Sequence, residues 1–452
     1  MKKIFYIIIF VLLTSCRKDW LEAKRDISVI VPTTLVDMRL LLNYHITTAS
    51  DGRSISEFLA DDYFLTTTYY NGRTDTERGL YLWNYENFKG TPFSVPDWDK
   101  SYEQILYANV ILEGLRKIDR TTDNQVEYDD VKGSALVRRS RSFFALAGQF
   151  AKPYIEATAS QELGIPLKLS PDINEPIIRA TLQQTYDRIT DDLKEAAGLL
   201  KPVPAYKTDS SRPAAYGLLA RVYLSMGKYG DAYHYADLCL KETNTLLDYN
   251  TLNTTPAYPI PAWQNNPEII MFGQVATLYG AFTFSNSNTP REIYDLYDEY
   301  DLRKKVFFVL NANNEYGFRG TYCSSTYHFT GIATDEMLLI RAECAARAND
   351  VDEAMRDLNT LLEKRFVSGK FQGYTAGDAD EALRIVLTER RKELLRRGLR
   401  WSDLRRLNQD GRFQTTLKRT IDGQEYTLAP NSPSYTLPIP QYVIESSGIP
   451  QN

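Results

Sequence analysis

The chain has 452 residues, of which 43% are hydrophobic and 25% charged, enough to bury a large core. A formal net charge of -5 argues against a nucleic-acid partner, which demands a strong basic excess. The four cysteines, at 16, 239, 323 and 344, are too widely spaced for a disulfide framework or a zinc site. Only three histidines are present, so histidine-based metal or triad chemistry is thinly supplied.

The N-terminus reads as an address. Lys2 and Lys3 precede the uninterrupted apolar run Ile4–Leu13. That run is too short to span a bilayer and fits the core of a signal peptide. Leu13-Thr14-Ser15-Cys16 follows directly and resembles a bacterial lipobox. The expectation is a signal peptide over 1–15, acylation of Cys16, and a tether over 16–32. Several acyl chains on Cys16 would anchor the protein firmly, whereas one chain binds only marginally. Arg17-Lys18-Asp19 is loosely similar to the charged surface-export signal of Bacteroidetes lipoproteins.

Helical periodicity dominates the rest. A first helix is expected over 33–45, with Leu35, Met38, Leu41 and Leu42 on one stripe. Residues 50–97 break the pattern with Gly, Asp, Thr and Asn and read as loops with short irregular pieces. Over 98–118 the stripe is Tyr102, Ile105, Leu106, Asn109 and Leu112. Further helices are expected over 131–151, closed by Pro153, and over 181–200, capped by Thr181. Across 213–242 the residues Leu219, Ala220, Tyr223, Gly227, Tyr229, Ala232 and Ala236 fall at the spacings of a tetratricopeptide hairpin. A weaker copy occupies 335–363, with Asn349-Asp350-Val351 at the turn. One hairpin cannot bury its own face, so several must stack. The intervening stretch 244–333 is too long for a structureless loop and is expected to form a lobe.

The C-terminal third carries a recognisable pattern. Glu389-Arg390-Arg391-Lys392-Glu393-Leu394, Gly398 and Arg400-Trp401-Ser402-Asp403-Leu404-Arg405-Arg406 resemble the signature of the SusD/RagB family. Leu437-Pro438-Ile439-Pro440 with the closing Gln451-Asn452 is similar to that family's ending. One departure is Ser134 and Ser140, where the family often has an acidic residue and a small alanine. The resemblance implies a mostly α fold, a tetratricopeptide-like stack packed against a loop-rich ligand-binding lobe. It makes 33–452 one SusD-like domain, with lobe segments near 50–97 and 244–333. It also implies a surface lipoprotein of the outer membrane that hands oligosaccharide or peptide to a SusC-type TonB-dependent transporter.

Candidate contacts come from composition alone. Eleven aromatics fall between residues 58 and 98. Flat rings stack on the C–H faces of sugars, while Asp, Asn and Arg bond the hydroxyls. The rings expected to be exposed are Tyr70, Trp83, Trp263 and Tyr279, with Asp61, Asp62 and Arg73 as nearby polar groups. The Arg-rich signature, with eight basic and three acidic residues from Glu389 to Arg406, reads as a structural salt-bridged helix rather than a nucleic-acid helix. Asp191-Asp192 reads as part of an exposed helix face. No catalytic template appears, and no metal or cofactor is expected. Glycan capture is the leading reading. Peptide cargo, a protein-binding repeat scaffold and a glycoside hydrolase are the alternatives.

Overall fold

The computed structural model describes residues 32–46, 52–89, 95–275 and 286–452. The expected signal peptide, Cys16, the tether up to residue 31 and Tyr279 lie outside the described residues. Helix α1 is Leu35–Ile46. Four short helices follow: α2 Ser54–Leu59, α3 Thr67–Asn71, α4 Asp75–Tyr81 and α5 Glu86–Lys89. The long helices α6 Pro96–Leu115 and α7 Gln125–Phe150 begin the scaffold. Strands β1 Leu163–Pro166 and β2 Arg179–Thr181 pair before α8 Leu182–Leu199. Then come α9 Arg212–Ser225 and α10 Tyr229–Glu242.

The inserted lobe holds β3 Ile269–Met271, α11 Arg291–Tyr294, α12 Arg303–Phe307, β4 Phe308–Leu310, β5 Tyr316–Phe318 and β6 Ile332–Ala333. The scaffold resumes with α13 Thr334–Arg347, α14 Val351–Leu362, α15 Ala379–Glu393 and α16 Arg400–Leu407. The hairpin β7 Leu417–Ile421 and β8 Gln424–Leu428 and helix α17 Gln441–Ser447 close the chain.

Local chemistry accounts for these boundaries. Thr181 and Gln184 form a reciprocal capping box at the start of α8, with N···O distances of 3.1 and 2.9 Å. Gly227 (φ 71°) ends α9, and Asn349 (φ 65°) ends α13 in the same left-handed conformation. Asp350 then caps α14 by accepting from the Glu353 N–H at 3.0 Å. The two expected hairpins therefore turn by the same device. Gly217 lets α9 approach the next layer, since a Cβ there would sit 2.6 Å from Ile332 Cγ2.

Successive helices stack: α6 on α7, α7 on α8, α8 on α9, α9 on α10, α10 on α13, and α13 on α14 and α15. The chain is thus mostly helical, a tetratricopeptide-like solenoid with the lobe inserted between α10 and α13. The lobe has its own aromatic core, including Tyr249, Tyr297, Phe307, Phe308, Tyr322 and Phe329.

Two expectations about faces are corrected. Leu106 is exposed, and the buried stripe of α6 is Ile105, Ala108, Ile111 and Leu115. The rest of the expected stripe holds, with Ile105 and Asn109 buried and Tyr102 and Leu112 half-buried, and the helix, wedged between α1 and α7, buries Ala108, Ile111 and Leu115 besides. Asp192 is buried, not solvated, because Arg139 reaches it from α7 with N···O distances of 2.8 and 2.9 Å. Arg139 also donates to Asn109 at 3.0 Å, and Asn109 donates to the Lys168 carbonyl at 2.9 Å. Asn109 is therefore a satisfied core amide.

Candidate functional site

The Arg-rich signature is buried and builds the joint between scaffold and lobe. Arg303 of the lobe pairs with Asp301 (2.7 Å), Glu389 (2.7 Å) and Glu393 (2.9 Å). Arg365, just past α14, bridges Glu393 and the lobe residue Glu268, each at 2.7 Å. Arg397 holds Asp335 at 2.7 Å. Carboxylate oxygens of Glu268, Asp335 and Glu393 lie within 4.8 Å of one another, a spacing that suits a cation. Arg365 and Arg397 already supply the compensating charge there.

Asp61 and Asp62 belong to the same joint. Asp61 pairs with Arg400 at 2.7 Å and Arg391 at 2.9 Å. Burial pushes its carboxyl up, but these two guanidiniums prevail and hold it below its ordinary value. Asp62 is buried and pairs with Arg391 at 3.2 Å. Both carboxylates are thus committed to protein cations.

Glu57 faces Arg396 at 3.1 Å and accepts from the Gly398 N–H at 2.8 Å. Burial pushes its carboxyl up to about 7, against the pull of Arg396. Its folded value lies above its unfolded one, so its stabilising contribution is complete below about pH 4.5. That contribution is lost as pH rises through about 7. Melting curves of Glu57→Gln should show a flatter fall of Tm between pH 4.5 and 7 than the parent. An unchanged slope would remove Glu57 as its source.

Most rings of the aromatic-rich stretch are core. The Arg419 guanidinium from β7 lies 3.9 Å from the Tyr81 ring and 4.5 Å from the Trp83 ring. Trp83 is only 5% exposed, and its Nε1–H donates to the Leu59 carbonyl at 3.0 Å. The expectation of an exposed Trp83 is therefore corrected: the ring pins the turn after α4. Tyr70 is half-buried, 5.6 Å from Tyr81.

An open cleft remains where α3 meets the lobe. Its volume is about 510 Å³, and it is lined by Thr66, Thr68, Tyr69, Gly72, Arg73, Asn286, Asn288 and Asn313. Backbone pairing of Phe64 with Asn288, at 2.8 and 3.0 Å, brings the two segments together. Thr66 caps α3 by accepting from the Tyr69 N–H at 3.3 Å. The Arg73 guanidinium then lies 4.2 Å over the Tyr69 ring. Burial, helped by the nearby Glu77 carboxylate, raises the Tyr69 hydroxyl above its ordinary value, while Arg73 and a hydrogen bond to Asn286 pull it down. Asn311 donates to the Asn288 Oδ1 at 2.8 Å and fixes that amide.

Of the residues expected from sequence, this cleft gathers only Arg73. Trp263 lines a separate groove of about 430 Å³ beside Tyr206 and Lys207, with its ring 5.1 Å from Phe272. Tyr69, Asn286, Asn288 and Asn313 are the residues that sequence reasoning missed. The four-residue spacing of Tyr69 and Arg73 was the available signal. Nothing local joined them to residues 286–313.

Comparison with known proteins agrees with this architecture. Residues 19–224 match a family model described as starch-binding and associating with the outer membrane. Residues 325–452 match the SusD family model. No curated protein matches the chain. Among solved structures, a SusD superfamily protein from Bacteroides vulgatus ATCC 8482 superposes with a TM-score of 0.74 at 19% identity, covering 93% of this chain and 99% of that one. A SusD superfamily protein from Bacteroides thetaiotaomicron VPI-5482 gives 0.70 at 20% identity, with 93% and 99% covered. A SusD-like carbohydrate binding protein from Bacteroides vulgatus ATCC 8482 gives 0.70 at 18% identity, with 92% and 97% covered. The two family models, over residues 19–224 and 325–452, place this chain in the SusD/RagB family, whose members are binding proteins associated with the outer membrane, and the solenoid, lobe and buried signature agree with that.

Proposed function

We propose that the protein is a lipid-anchored surface receptor that captures an oligosaccharide and delivers it to a SusC-type TonB-dependent transporter. The observation that carries the glycan reading is the cleft between α3 and the lobe. Tyr69 offers apolar ring surface, and three asparagines, two threonines and one arginine offer hydrogen-bonding groups around it. That mixture suits a sugar, which has apolar C–H faces and a hydroxylated rim. Anchoring through Cys16, after removal of residues 1–15, accounts for surface attachment. No helix among the described residues is long and apolar enough to cross a membrane.

Calorimetry with a saccharide panel tests the cargo. Tyr69→Ala should weaken the best ligand by about 1–2 kcal/mol while leaving the melting temperature near the parent's. Binding to peptides and to no saccharide would favour the peptide reading. Release of reducing sugar by the purified protein would revive the hydrolase. For delivery, the anchored protein should co-purify with an outer-membrane barrel; its absence would count against the transporter role.

A further inference from the structure

The ion pairing around the cleft is uneven. Arginines of the signature, such as Arg390, Arg397, Arg400 and Arg406, each meet a carboxylate. Arg73 forms no ion pair among the described residues, and its Nε is shielded from solvent without an acceptor. The acids next to it in sequence are already used. Asp75 pairs with Arg78, and Glu77 accepts from Thr74 at 3.0 and 3.1 Å to cap α4. Among the described residues no carboxylate lines the cleft. The stretch 276–285, just before Asn286, contains no Asp or Glu. A molecule of net charge -5 thus presents, among the described residues, one guanidinium without an ion pair in a cleft otherwise lined by neutral groups.

A neutral ligand would strip water from that guanidinium and return no charge to it. An anionic ligand would supply the missing counter-charge, and a planar fork suits a carboxylate or a sulfate. We infer that the cleft selects an acidic saccharide, whose ring carboxylate or sulfate ester meets Arg73 while the asparagine amides bond its hydroxyls. The inference rests on the glycan reading and names the class of glycan.

The test is calorimetry on the mature chain with matched pairs. Galacturonate oligomers are compared with their methyl esters, hyaluronan and alginate oligomers with carboxyl-reduced forms, and chondroitin sulfate with its desulfated form. Neutral starch, xylan and mannan oligomers complete the panel. At least one acidic member should bind about tenfold or more tightly than its neutralised partner. The methyl-ester and carboxyl-reduced arms report on carboxylate, and the desulfated arm on sulfate. Arg73→Gln should erase that preference and the accompanying salt dependence. The paired comparison on the parent protein needs no variant to fold. Equal binding within every pair, or a preference that survives Arg73→Gln, would overturn acidic selection and leave glycan capture standing. Silence from every saccharide, charged or neutral, would bring down both.

Discussion

Arg365→Ala should cost about 3–5 kcal/mol of unfolding free energy, the cost of stripping a buried pair of one partner. Arg365 is fully buried, and four of its contacts are made at once. It bridges Glu268 and Glu393 at 2.7 Å each, donates to the Leu247 carbonyl at 2.8 Å, and stacks 4.1 Å over the Tyr249 ring. Alanine leaves Glu268 and Glu393 facing one another without that cation. Burial already pushes the Glu268 carboxyl up to about 7. In the variant it rises further, so acidification should restore part of the lost stability. Urea titrations at pH 5 and pH 8 check both statements. A loss under 1 kcal/mol would mean that the lobe is held to the scaffold by other contacts.

Trp401→Ala should cost a similar amount, about 3–5 kcal/mol, by opening a cavity in the main core. The indole is 1% exposed and stacks on Tyr435, with ring centroids 4.7 Å apart and planes 24° from parallel. Trp401→Phe keeps a stacked ring and should recover more than half of the loss. Saccharide affinity per folded molecule should stay at the parent's value, because Trp401 does not line the cleft. Weakened binding with unchanged stability would instead make the signature a contact surface.

The two variants separate what the Arg-rich signature does from what the cleft does. The signature's charges form a joint, and its cost in desolvation is met by partners from distant elements. That joint fixes the lobe against the solenoid and so sets the position of α3 relative to residues 286–313. Function then depends on stability at one place and on recognition at another. Substitutions in the first should change unfolding, and substitutions in the second should change affinity.

The helical hairpins were legible because their determinants are local. Thr181, Gly227, Asn349 and Asp350 act on backbone groups within a few residues of themselves. Apolar spacing marked the helices but left their rotation open. Leu106 entered the wrong face because periodicity does not reveal that α6 is packed from two sides. Trp83 and Asp192 failed for a related reason. Whether a ring or a carboxylate is buried depends on what another segment brings to it: Arg419 in one case and Arg139 in the other.

By itself, then, the sequence determined the helical repeat scaffold, the family and the structural, salt-bridged character of the Arg-rich helix, since each is written in short-range patterns along the chain; the burial of that helix came from distant partners. Only the tertiary structure decided which charges are spent and which are available. Asp61 meets Arg400 across 339 residues of sequence and is consumed in the joint. Arg73 meets no such partner among the described residues and faces the cleft with Tyr69. Pairing of that kind is a matter of distance in space, and spacing along the chain carries no record of it.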